Sequence, residues 1–110
     1  MVNVARIPVA LLITVGSGLM CSPCFAQRAS VSEGHNLAQQ VCASCHVTVP
    51  NGHASWTDAP SFASIANRSG ITQQWLTEFI QKPHMHMLME HYTPVQANDI
   101  AAYILSQRHK

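Results

Sequence analysis

Charge is scarce in this sequence. Asp, Glu, Lys and Arg together make up 10% of the 110 residues, and aromatic residues 6%. Past residue 26, five basic side chains (Arg28, Arg68, Lys82, Arg108, Lys110) stand against five acidic ones (Glu33, Asp58, Glu78, Glu90, Asp99). A balance that close to neutral excludes the basic patch expected of a nucleic-acid binder. It also gives no strong field for steering a partner. No stretch alternates apolar and polar residues as a strand does, and there is no internal repeat or low-complexity tract. The mature domain is therefore expected to be all-α. Long apolar runs are absent too. The single candidate, "IPVALLITVGSGLM", falls short of the ~20 residues a spanning helix needs and is interrupted by Gly16, Ser17 and Gly18.

That run has another use. Residues 1–26 open with one cation, Arg6, continue through the apolar segment and end in "CSPCFA", with the small residues Cys24 and Ala26 ahead of Gln27. These are the three parts of a secretory signal peptide. Cleavage before Gln27 is expected, leaving residues 27–110 as one domain without a membrane anchor. "GLM" ahead of Cys21 is a poor match to a lipid-attachment site. Export carries Cys21 and Cys24 away, so the mature chain keeps Cys42 and Cys45. Its compartment would be oxidising, where a Cys42–Cys45 disulfide is one fate. Such a bridge closes too small a loop to stabilise a domain of this size, so something larger is expected to fill its middle.

Three segments carry helical periodicity. In residues 31–44, Ser30 and Glu33 make an S-x-x-E capping box; Leu37, Ala38, Val41 and Cys42 then recur at helical spacing. In 73–81, Thr72 is the N-cap, Trp75, Leu76, Phe79 and Ile80 share a face, and Pro83 enforces the stop. In the last segment Thr93 is the N-cap, Pro94 occupies the first helical position and Gln96 completes a capping box. There Val95, Ile100, Tyr103, Ile104 and Leu105 are expected to face inward, and Arg108, His109 and Lys110 to suit the helix's C-terminal dipole. A short helical turn is expected at 62–67. Residues 83–92, "PHMHMLMEHY", form a loop dense in Met and His.

The chemistry sits in "QQVCASCHVTV". C-x-x-C-H is the attachment pattern of c-type haem. Two intervening residues let one turn present both sulfurs to the vinyl groups of a porphyrin. The histidine that follows is directed at the iron. Cys42 and Cys45 are thus candidate thioether anchors and His46 a candidate iron ligand. Zinc is the competing metal, with His84, His86 and His91 as further donors. A thioredoxin-like dithiol would need a βαβ context that is missing.

The order of motifs resembles that of small bacterial class I c-type cytochromes over nearly all of residues 30–107: Gly34, then "CASCH", then "DAPSF", then the Met/His loop, then "DIAAYI". The resemblance implies three to four helices wrapped around one covalently bound haem c. It implies that Gly34 meets Tyr103 where the first and last helices cross. It also implies that the Pro60 carbonyl accepts a hydrogen bond from the Nδ1–H of His46, fixing its tautomer. For the second iron ligand the family supplies a methionine, and counting back from Tyr103 and from Thr93 both give Met87; Met85, Met89 and His86 are the alternatives. Trp75, Phe79, Phe62 and Ile104 would pack the haem crevice, with Trp56 near the propionates. His35, His53, His91 and His109 are read as surface residues.

A six-coordinate iron offers substrate no position, so the resemblance implies an electron carrier rather than an enzyme. It would be periplasmic and monomeric, drawing electrons from a dehydrogenase or the bc complex and delivering them to an oxidase or reductase. The proline that usually follows the ligand methionine is Leu88 here. A labile or absent Met–iron bond would make the protein a haem-based sensor or a weak peroxidase instead.

Overall fold

The computed structural model describes residues 27–54, 59–84 and 91–109. Residues 1–26, read above as a signal peptide, Trp56 and residues 85–90, which hold all three candidate methionines and His86, lie outside the described residues. Four helices are described: α1 (Val31–Val41), α2 (Phe62–Ala66), α3 (Gln73–Ile80) and α4 (Pro94–Ser106). A 3-10 turn, Cys42–Ser44, follows α1 directly. The described residues contain no strand, as the missing alternation implied.

Each helix begins where a side chain can take an otherwise orphaned backbone N–H. Ser30, Ser61, Thr72 and Thr93 each accept the N–H three residues on. At α4 the box is complete: Gln96 Oε1 accepts the Thr93 N–H at 3.0 Å. At α1 the expected box is altered. The Ser30 N–H, which Glu33 would have accepted, donates instead to Asp99 Oδ1 of α4 at 2.7 Å. A residue 69 positions away has replaced the local partner. The last turn expected of α1 tightens to 3-10, with the Cys45 and His46 N–H groups both donating to the Cys42 carbonyl at 3.1 and 2.8 Å.

α4 is the common partner, with α1, α2 and α3 all packed against it. The core consists of Ala38, Cys42, Phe62, Ala66, Leu76, Ile100, Ala101, Tyr103 and Ile104. Where α1 crosses α4, a Cβ on Gly34 would lie 2.0 Å from the Asp99 carbonyl oxygen and 2.9 Å from Tyr103 Cβ. The absence of a side chain there lets the two helices meet, and the expected Gly34–Tyr103 pairing is observed.

Three expectations need correction. Val95 faces outward, 44% exposed, because at 3.6 residues per turn it stands on the opposite side of α4 from the buried Ile104. Asp99, absent from the expected inner face, is buried, and its hydrogen bond to the start of α1 compensates the desolvation. Arg108 serves a neighbouring helix rather than α4: its Nε donates to the Ala66 carbonyl at the end of α2 at 2.7 Å, and Nη2 to the Ile71 carbonyl at 2.8 Å.

Candidate functional site

The helices enclose a cavity of about 630 Å³, within the ~300–1,000 Å³ of small-molecule and cofactor sites. The 3-10 turn after α1 forms one edge and contributes Cys42, Cys45 and His46 together. The shared Cys42 carbonyl winds those residues into one turn, so their side chains emerge on one side. Pro60 and Phe62 stand beside them; α3 supplies Trp75, Leu76, Phe79 and Ile80, and α4 supplies Ile100 and Ile104. The four side chains expected to pack a haem crevice, Phe62, Trp75, Phe79 and Ile104, all line this cavity.

α3 does not bury its apolar face as an ordinary core helix would. Leu76 is 2% exposed, yet Trp75 and Phe79 are 45% and 41% exposed and stack on each other at 5.0 Å, 13° from parallel. His84 lies over Phe79 at 5.0 Å and also lines the cavity. Among the described residues, Arg68 is the Lys or Arg side chain on the lining. Neither Arg68 nor Ile71, which also lines it, was singled out from the sequence. Both sit in the α2–α3 connection, where no periodicity reports which way a side chain turns.

His46 is held as a metal ligand needs to be. Its Nδ1 lies 2.7 Å from the Pro60 carbonyl oxygen. A carbonyl can only accept, so Nδ1 carries a proton, and in the neutral ring that leaves the lone pair on Nε2. The Phe62 ring supports the imidazole from 5.5 Å. Among the described residues no group of three or more His, Cys, Asp and Glu is gathered to hold a metal ion. Of the donors considered for zinc, His86 lies outside the described residues, and His84 and His91 join no such group. Among the described residues, two thiols and the His46 imidazole thus stand together at one edge of an apolar cavity, which His84 also lines.

Cytochrome c-552 of Bradyrhizobium diazoefficiens is 41% identical to this chain over 101 residues, which cover 91% of this chain and 92% of that protein. The chain belongs to the small bacterial c-type cytochromes. No protein-family model matches it, and no solved structure does. The cytochrome is an electron-transfer protein with a covalently bound haem c and its iron, and its helices are those of the class I cytochrome c fold. The residues present fit that group: sulfur for the covalent bonds, an imidazole nitrogen for iron, and apolar walls for a macrocycle. The remaining histidines divide. His53, His91 and His109 are exposed, as expected, whereas His35 is half-buried with its ring edge against Tyr103 at 5.1 Å.

Proposed function

We propose that this cytochrome is a periplasmic carrier of single electrons, its haem joined to Cys42 and Cys45 and its iron bound by His46 and Met87. The observation that carries the reading is the 2.7 Å contact from His46 Nδ1 to the Pro60 carbonyl, beside both cysteines. It prepares Nε2 for iron and restrains the ring. Bound haem supplies a metal centre that changes valence by one electron in place. His/Met ligation raises its potential relative to two histidines. The apolar lining acts in the same direction, because it disfavours the added positive charge of the oxidised state. Arg68, at the lining, suits the carboxylates of the haem periphery as a charge-assisted donor.

Export is supported by the leader 1–26. Among the described residues no helix is long and apolar enough to cross a membrane. The mature protein should begin at Gln27, which N-terminal sequencing of the periplasmic fraction reads directly. A dehydrogenase or the bc complex as donor, and an oxidase or reductase as acceptor, are the partner classes proposed. Their contacts should be small and short-lived.

The deciding experiment is spectroscopic. Cys42→Ala or Cys45→Ala should weaken covalent haem retention on denaturing gels, and His46→Ala should abolish the normal spectrum. Met87→Ala should let the reduced protein bind carbon monoxide, while Met85→Ala and Met89→Ala should not. Carbon monoxide binding by the unsubstituted reduced protein would replace the carrier with the sensor or peroxidase reading, which Leu88 in place of proline favours.

A further inference from the structure

The Nδ1–Pro60 bond fixes the His46 ring relative to Pro60, but it does not fix either of them relative to the rest of the cavity. The Phe62 N–H donates to the Val47 carbonyl at 3.0 Å, which ties the backbone beyond His46 to the start of α2 as one unit. The opposite wall belongs to α4, through Ile100 and Ile104. The two are joined at Thr48, two residues past His46 and 3% exposed. Its carbonyl oxygen accepts from two side chains of α4, the Tyr103 hydroxyl at 2.8 Å and Gln107 Nε2 at 2.7 Å. Its Oγ1 accepts from Gln39 Nε2 of α1 at 2.7 Å. Tyr103 reaches the imidazole by a second route as well: its ring lies 6.1 Å from Phe62, the ring that supports His46.

We propose that Tyr103 and Gln107 are positioning residues for His46. By donating together to the Thr48 carbonyl they hold the backbone beyond the histidine against α4, and so orient its imidazole with respect to the iron. The proposal rests on the reading that His46 binds the iron. A buried carbonyl has two lone pairs, and here both are used. Losing one donor leaves the other in place; losing both strands a buried acceptor and releases the unit. The two substitutions should therefore be non-additive.

The test uses the oxidised haem-loaded protein and its hyperfine-shifted proton resonances, those of the His46 ring and the haem methyls, which depend on how the ring stands relative to the iron. Tyr103→Phe and Gln107→Met should each move them slightly, and the double variant by more than the sum. Gln73→Met is the control. It removes the Gln73 bonds to the Asn98 carbonyl and Oδ1 at the α3–α4 seam, both 2.7 Å, and should lower the melting temperature while leaving those resonances in place. A double variant that melts earlier but keeps the wild-type resonances would show a purely structural role and overturn the proposal. If the double variant does not fold, Tyr103→Phe, which keeps the ring and the Gln107 donor, carries the same readout, and unmoved resonances there also overturn it. Unsubstituted protein whose His46 ring protons show no hyperfine shift would remove the reading of His46 as iron ligand, and this proposal with it, before any variant is made.

Discussion

The crossing of α1 on α4 and the α3 wall of the cavity use apolar residues in opposite ways. At the crossing the missing side chain of Gly34 brings α1 onto the Asp99 carbonyl and the Tyr103 Cβ of α4. Backbone approaches backbone, and nothing is left between them for a ligand. On α3 the apolar positions are large, and two of them, Trp75 and Phe79, keep nearly half their surface exposed beside the cavity. One surface is finished by the chain itself. The other is shaped as a wall, and its rings stand open to the cavity. Side-chain size thus divides this small domain into a frame and a binding face.

The frame should break first. Gly34→Val places methyl groups where the Asp99 carbonyl already stands, and a backbone oxygen cannot swing aside. The cost should be about 3 kcal/mol or more, measured by denaturant unfolding of the haem-loaded protein. A loss under about 1 kcal/mol would mean that the helices are free to separate and that the contrast is overdrawn.

The wall is tested by Phe79→Ala. Judged by exposure alone, it should change stability by no more than about 0.5 kcal/mol. As part of a haem wall it should cost on the order of 1–2 kcal/mol in the haem-loaded protein. The smaller value would return α3 to an ordinary surface helix.

A pH effect belongs to the frame. Burial raises the Tyr103 pKa above its ordinary value of 10.0, and the Gln107 amide beside it acts in the opposite direction. The folded protein therefore holds this proton after the unfolded chain has released it. The associated stability is intact below about pH 10 and is lost as pH rises through the higher folded value. Melting temperatures measured from about pH 9 upward should decline less steeply in Tyr103→Phe than in the unsubstituted protein. Equal slopes would assign the decline to another group. The smallest effect is expected at Val95, which belongs to neither region. Val95→Ala should stay within about 0.5 kcal/mol, and a larger loss would place its side chain in the frame after all.

Legibility followed distance along the chain. Ser30, Thr72 and Thr93 could be identified as caps because a cap acts on the N–H three residues on, and α1, α3 and α4 begin where those caps placed them. Val95 was misjudged because it stands half a turn out of phase with the buried Ile104, on the side of the exposed Ser106. Asp99 and Thr48 gave no sequence signal at all. Asp99 meets Ser30 across 69 positions, and Thr48 meets Tyr103 and Gln107 across 55 and 59. On composition alone, a buried aspartate and a buried threonine look like surface residues.

By itself the sequence determined the candidate attachment set: two sulfurs and an imidazole within five consecutive residues, whose spacing depends on one turn of backbone and on nothing distant. It also determined the helices, since caps and periodicity are local. Only the tertiary structure decided what stands around that turn. It set Pro60 against the imidazole, bound Thr48 to α4, brought Asp99 to the start of α1 and turned Arg68 to the lining. Each of these depends on how helices with no sequence proximity pack together, and that packing is fixed by the steric fit at Gly34 and by buried polar groups that must find partners.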